Sequence, residues 1–276
     1  MKKTSLIFSL ALMAMLAVSV PALAASSLEG DAVEYDFRSG QAIATGNIVL
    51  TRDDGKATAK KAEYNTKTEN GKLEGSVVAN QKDAHLTCHT LFFAQGGDHL
   101  TAVGNAVLKK EDKTLRAAQV EYYGQRQYAE TVGSWAQMGM DDGSTMDATS
   151  MNYDMGQGLA HAEGNVRISS PPRKLTAKAD RAVYNTKLED GTIDLIGNAT
   201  ATQDGNTVSG NTLTLKGAGG KVAVAKGDVR LVYIPKEDAT KGQGTIVNIS
   251  SGDGYQGTRV RNWPGESVAV GQTAIA

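Results

Sequence analysis

The sequence predicts an all-β protein: an elongated β-jelly-roll of two facing, mostly antiparallel sheets, built from about seven two-stranded repeats of roughly 30 residues. Three observations predict it. A glycine phrase returns at a nearly fixed interval, an aromatic marker returns at the same interval between the glycines, and the apolar residues around both alternate with period two. After the first 24 residues no segment reads as a helix of ten or more residues.

The glycine phrase is ATGNIVL at 44–50, AVGNAVL at 102–108 and AEGNVRI at 162–168. Its glycine recurs as Gly46, Gly75, Gly104, Gly133, Gly164, Gly197 and Gly227, with steps of 29, 29, 29, 31, 33 and 30 residues. A small polar residue suited to a tight turn follows each time: Asn47, Ser76, Asn105, Ser134, Asn165, Asn198 and Asp228. The second marker runs Tyr35, Tyr64, Phe92, Tyr122, Tyr153, Tyr184 and Leu215, with steps of 29, 28, 30, 31, 31 and 31. Two markers with one period define an internal repeat.

Each marker lies on a predicted strand with one apolar face. After Gly164, Val166 and Ile168 alternate with Arg167 and Ser169; after Gly227, Val229, Leu231 and Tyr233 alternate with Arg230 and Val232. Before the aromatic marker the same parity selects Val33 with Tyr35, Ala62 with Tyr64, Val120 with Tyr122, Met151 with Tyr153, Ala182 with Tyr184, and Leu213 with Leu215. Turn signals stand at Asp54-Gly55, Asn70-Gly71, Asp142-Gly143, Asp190-Gly191 and Asp204-Gly205. About fourteen strands follow between residues 28 and 233. So many curl into facing layers; a parallel β-solenoid is the competing arrangement, and the hairpin turns favour the facing layers.

Residues 1–24 read as a signal peptide: Lys2 and Lys3, the apolar run LIFSLALMAMLAVSV, then Pro21 and the small-residue site Ala22-Leu23-Ala24. Residues 25–233 form the repeat domain, and 234–276 a tail in which Thr245 to Ile249 suits one more strand before a flexible end. Without the leader, 27 Lys plus Arg face 30 Asp plus Glu, a net charge of −3 with no basic cluster, which argues against nucleic acid as a partner. Cys88 is the only cysteine, so the fold stands on its apolar core without an internal disulfide.

No catalytic residue, metal ligand set or cofactor site is expected. Cys88 and His89 are strand neighbours facing opposite sides, which suits packing rather than a dyad. His85 and His89 share a face but stand about 13 Å apart along a strand. The acidic pairs at Asp53-Asp54 and Asp141-Asp142 precede glycines without completing a calcium loop, and Gly217-Ala218-Gly219-Gly220-Lys221 lacks the spacing and hydroxyl of a phosphate loop.

The A-x-G-N-[AV] phrase with its T-A-x-x-A-x-Y companion resembles the OstA-like family of lipopolysaccharide-transport proteins. The likeness is carried by Ala44 to Leu50 with Thr58-Ala59-Lys60-Lys61-Ala62-Glu63-Tyr64, by Ala102 to Leu108 with Arg116 to Tyr122, and by Ala162 to Ile168 with Thr176 to Tyr184. Over 28 to 233 the resemblance implies a periplasmic carrier or bridge whose β-jelly-roll interior holds acyl chains of lipopolysaccharide. It implies as partners lipopolysaccharide itself and other OstA-like domains at the inner and outer membrane. The inward set expected to line that interior is Val33, Tyr35, Ile48, Leu50, Ala62, Tyr64, Phe92, Ala106, Leu108, Val120, Tyr122, Met151, Tyr153, Val166, Ile168, Ala182, Tyr184, Leu213 and Leu215.

Small residues among that set, with Ala199 and Ala201, are expected to leave space between the layers. About ten sheltered methylenes at ~0.8 kcal/mol each supply roughly 8 kcal/mol, near micromolar affinity. End-to-end self-association is expected through the terminal strands, Leu28 to Tyr35 and Asp228 to Tyr233, whose backbone edges are unpaired. The alternative reading is a non-enzymatic structural β-repeat protein of the cell envelope or surface. An exported glycan-cleaving enzyme ranks below both, since the inward set lacks paired carboxylates.

Overall fold

The computed structural model describes residues 26–52, 55–81, 84–94, 98–185, 187, 192–216 and 222–234, with the backbone of 247–250 and 258–259. The signal peptide at 1–24, the acidic pair Asp53-Asp54 and with it the first half of the Asp54-Gly55 turn signal, the turn signal at Asp190-Gly191, the Gly217 to Lys221 run, and most of the tail lie outside the described residues.

The strands follow in chain order: β1 Ser26–Glu29, β2 Ala32–Asp36, β3 Gln41–Arg52, β4 Gly55–Asn65, β5 Asn70–Gln81, β6 Ala84–Ala94, β7 His99–Lys110, β8 Lys113–Tyr123 and β9 Tyr128–Met140. Then come β10 Thr145–Ala148, β11 Ser150–Asp154, β12 Leu159–Ser170, β13 Leu175–Asn185, β14 Ile193–Gln203, β15 Asn206–Lys216, β16 Val222–Lys226, β17 Arg230–Val232, β18 Val247–Ser250 and β19 Thr258–Arg259. The helical content among the described residues is one 3-10 turn, Pro171–Arg173. From β1 to β17 successive crossings of the sheet pair antiparallel, a meander rather than a solenoid. β1 and β2 both pair with β3, β10 and β11 both with β9 and β12, and β16 and β17 both with β15. Each such couple is one interrupted strand, so the seventeen segments amount to fourteen crossings of the sheet.

The glycine phrase does not start a strand or make a turn, as the sequence suggested. It sits in mid-strand. On β3 the register runs Thr45 against Lys61 and then Ile48 against Ala59, two residues facing one across a bulge. Gly46 and Asn47 have φ of +72° and +45°, a double left-handed step that glycine and then asparagine take with least strain. The same pair of conformations recurs at Gly75-Ser76, Gly104-Asn105, Gly164-Asn165, Gly197-Asn198 and Gly227-Asp228. On the companion strands the crossing is made by two outward residues in a row, as in Ala59-Lys60-Lys61-Ala62. Asn70-Gly71, read as a turn, begins β5; the chain reverses at Thr66 to Glu69.

Residues on one face of this sheet are buried on both sides of the bulge line, from Ala44, Ala102 and Tyr122 to Ile48, Leu108 and Leu115, and all belong to one continuous cluster. No helix or second sheet among the described residues lies against that face. The face therefore covers itself: the sheet folds across the line of bulges, and the two facing layers are the halves of one sheet.

Candidate functional site

Inside the fold, one half carries a row of rings. Tyr64, Phe93, Tyr122, Tyr153 and Tyr184 occupy equivalent positions on β4, β6, β8, β11 and β13, with Leu215 next on β15. Each ring is flanked across the strands by small or aliphatic residues. Tyr64 lies between Ala42 and Gly71, Tyr122 between Leu100 and Ala129, Tyr153 between Ala129 and Ala160, and Tyr184 between Ala160 and Ile193. A Cβ on Gly71 would collide with the Phe93 ring, which passes over it to meet Tyr64 at 5.9 Å between centroids. The small residues thus seat neighbouring rings; they do not leave the open space that the sequence suggested.

The other half is aliphatic and sulfur-rich. Leu108 stands between Leu86 and Leu115, Leu115 faces Met138, and Met138 pairs with Met146, which pairs in turn with Ile168. Leu115 and Leu213 are 0% exposed, so the mid-section is closed to water. Methionine side chains are unbranched and re-pack readily, so the Met138–Met146 region is the most adaptable part of this lining.

Of the residues expected to line the interior, Ile48, Ala62, Ala106, Leu108, Val120, Tyr122, Met151, Tyr153, Val166, Ile168, Ala182, Tyr184, Leu213 and Leu215 are buried there, and Leu50 and Tyr64 are half-buried. Val33 and Tyr35 share the inner face, being paired with buried Ala44 and Ala42, yet are 51% and 39% exposed because β2 is an edge strand that nothing among the described residues covers. Leu231 stands likewise at the other end: it pairs with buried Val208 but is exposed.

Phe92 is a correction. It is 43% exposed on the outer face, beneath the Lys72 ammonium at 5.9 Å, and Phe93 takes the inner position. The cause is strand parity, and the sequence carried a signal for it: from Tyr64 to Phe93 to Tyr122 both steps are 29, whereas Phe92 broke them into 28 and 30. The reading also missed Leu73, Leu86, Leu91, Leu115, Met138, Met146 and Leu195, all buried in the cluster. Of these, Leu86, Leu115 and Met146 lie on the strand halves away from the two markers.

The outer face is polar. Beside the bulges of β12 and β14 it bears a groove of about 570 Å³ lined by Arg167, Lys178, Asp180, Asn198, Asn211 and Asp228, a composition unsuited to acyl chains. At the ends of β7 to β9, His99 stacks on Tyr123 at 4.5 Å and the Arg126 guanidinium lies over Tyr123 and Tyr128 at 5.2 and 5.1 Å. Tyr123 Oη donates to Glu121 at 2.5 Å, which pushes that phenol up to about 12 and holds the Glu121 carboxyl below its ordinary value. Burial pushes the Cys88 thiol up to about 11 and, with the Asp98 charge adding a little, the Tyr122 phenol up to about 12, so both stay neutral at physiological pH. Among the described residues no three His, Cys, Asp or Glu side chains gather as a metal site, and no helix is long and apolar enough to cross a membrane.

Residues 93–221 match the family model described as LptA/(LptD N-terminal domain) LPS transport protein. Over that span the chain is similar to the OstA-like domain of the LptA family. The same bulged two-strand module continues on both sides of the matched span, in β2 to β5 and in β16 with β17. A solved structure also matches, the crystal structure of LptH, the LptA homologous periplasmic component of the conserved lipopolysaccharide transport device from Pseudomonas aeruginosa. The two share 14% identity over 63% of this chain and 82% of the other, with a TM-score of 0.19. No match was found among curated proteins.

Proposed function

We propose that this OstA-like chain is a periplasmic lipopolysaccharide carrier that holds acyl chains against the inner face of its folded sheet and passes lipopolysaccharide toward the outer membrane. The observation that carries this reading is the continuous apolar inner face, which among the described residues is covered only by its own other half and is bare at both ends, where Val33, Tyr35 and Leu231 stand exposed. An acyl chain entering from an end extends the core by the same burial that closes the middle, and Met138 and Met146 give way to it at modest cost. The edges of β2 and β17, unpaired on their outer side among the described residues, are where another copy, or an OstA-like domain at either membrane, adds its strand. The leader read in residues 1–24 delivers the chain to that compartment.

The closed mid-section favours one rival, a structural β-repeat protein that never opens. Photo-crosslinkable residues at Ile48, Leu108, Tyr122, Ile168 and Leu213 decide between them. Lipopolysaccharide attached at these positions but not at outward Glu63 or Arg167 supports the carrier. No attachment at any inner position, in cells that make lipopolysaccharide normally, rejects it.

A further inference from the structure

One polar cluster interrupts the apolar inner face. Ser170 ends β12 on the inward parity of Val166 and Ile168, and Ser144, just before β10, lies on that of Met146; both serines are wholly buried. Their hydroxyl oxygens are 2.9 Å apart. Arg173, in the turn that follows, donates from Nη1 to Ser170 Oγ at 2.7 Å, while its Nη2 is buried with no hydrogen-bond partner. Gln203 Nε2 donates to the Arg173 carbonyl at 3.2 Å and ties that turn to the end of β14. The acids in the adjoining turns have partners of their own: Asp142 accepts from the Ser144 backbone N–H at 2.8 Å, Asp204 stands 3.7 Å from Lys174, and Asp141 3.7 Å from Lys109.

The donor count shows what the cluster lacks. Whichever serine donates to the other, one hydroxyl hydrogen is left over, and both hydrogens of Arg173 Nη2 are left over with it. A covered guanidinium nitrogen without an acceptor is costly, and such a group calls for a charged oxygen to complete it. That oxygen must come from something able to reach the rim of an apolar face, where Ile168, Met146 and Leu175 lie beside the serines. A planar fork with adjacent hydroxyls suits an oxyanion such as phosphate.

We propose that Arg173, Ser170 and Ser144 form a headgroup site for a phosphorylated amphiphile, whose chain runs along Ile168 and Met146 while its phosphate takes the free guanidinium and hydroxyl donors. The site rests on the carrier reading above and adds to it a fixed seat for one end of the cargo. It is a binding site at the rim and needs no covalent step.

The test is calorimetric titration of the purified chain with dodecyl phosphate, dodecyl maltoside and inorganic phosphate, the amphiphiles kept below their micellar concentrations. Dodecyl phosphate should bind roughly tenfold or more tighter than dodecyl maltoside, and inorganic phosphate alone should not bind at millimolar concentration. Arg173→Gln and the double change Ser144→Ala with Ser170→Ala should abolish the preference while leaving dodecyl maltoside affinity unchanged, and Arg173→Lys should keep part of it. Circular dichroism melting of each variant shows that it is folded. Equal binding of the two amphiphiles, or a preference that survives Arg173→Gln, overturns the headgroup site and leaves the carrier reading standing. Binding of neither amphiphile overturns both, and Arg173-dependent binding of inorganic phosphate as tight as that of dodecyl phosphate makes this a free-phosphate site instead.

Discussion

Asn198 donates from Nδ2 to Asp180 Oδ2 at 2.9 Å, reaching across the point where β14 bulges against β13. Asn47 makes the same contact to both carboxylate oxygens of Asp31, at 3.1 and 3.0 Å, and in the last repeat the roles are exchanged, with Asn211 donating to Asp228 at 3.3 Å. The asparagine of the repeated phrase therefore has two tasks: it tolerates the left-handed backbone, and its side chain pins the neighbouring strand at the fold line.

Gly197→Ala is expected to destabilise the protein by about 1–2 kcal/mol from left-handed strain alone, and the new methyl would also collide with the Asp180 side chain. Asn198→Gly relieves strain and loses only the hydrogen bond, a net of about 1 kcal/mol or less. Asn198→Val loses both and should cost the most. Urea midpoints at constant m-value rank the three; equal effects of Asn198→Gly and Asn198→Val would show that the backbone conformation at 198 carries no cost.

Burial along the inner face makes the second prediction. Leu115 is wholly enclosed between Leu108 and Met138, so Leu115→Ala should cost about 2–5 kcal/mol. Val33→Ala on the uncovered edge should stay within about 0.5 kcal/mol. Thermal unfolding of the two variants is the check, and similar shifts would mean that the inner face is not sealed as its exposure indicates.

How far the sequence revealed this fold follows from what repeats in it. The period, the fourteen crossings and the antiparallel order were legible because Gly46 through Gly227 and Tyr35 through Tyr184 mark every unit. The place of the glycine was not, because Gly followed by Asn is equally at home in a hairpin turn and in a mid-strand bulge, and only the pairing of Thr45 with Lys61 and Ile48 with Ala59 separates them. The lining was half legible. Parity counted from the tyrosines reaches only the two crossed residues of each companion strand, beyond which Lys60 and Lys61 reset it, so Ala57 and Ala59 escaped. The Arg173 cluster was invisible, since Ser144 stands 26 residues before Ser170 with no motif linking it to Ser170 and Arg173.

Glu121 sets a pH dependence with two limbs. Its carboxyl is held below the usual value, first by the Tyr123 hydroxyl, so its contribution is present above the unfolded value and is lost as pH falls through the folded one. Tyr123, raised to about 12 by the same bond, contributes stability that is complete below its unfolded value near 10 and fades as pH climbs toward 12. Glu121→Gln should flatten both limbs of a melting-temperature profile. In an absorbance titration of the phenols it should bring Tyr123 back toward 10 and leave Tyr122 near 12, because burial holds that one up. If both tyrosines stay high in the variant, the Glu121 bond is not the cause.

The last prediction concerns the C-terminal edge. β16 pairs with β15 on one side and, in parallel, with β18 on the other, Ala223 to Lys226 against Val247 to Ser250. The tail thus occupies half of the edge on which another copy would add a strand, and among the described residues β17 beside it stays open. Removing residues 235–276 should raise the mean mass in sedimentation as concentration rises into the tens of micromolar range, because a longer edge is offered to the exposed β2 of the next molecule. Lysines at both Val33 and Tyr35 of the truncated chain should return it to a monomer, since two charges on the inner face of β2 cannot be buried against an apolar end without a large desolvation cost. A truncated chain with the same mass as the intact one at every concentration would show that β18 guards nothing. Association that survives the two lysines would place the contact elsewhere than β2.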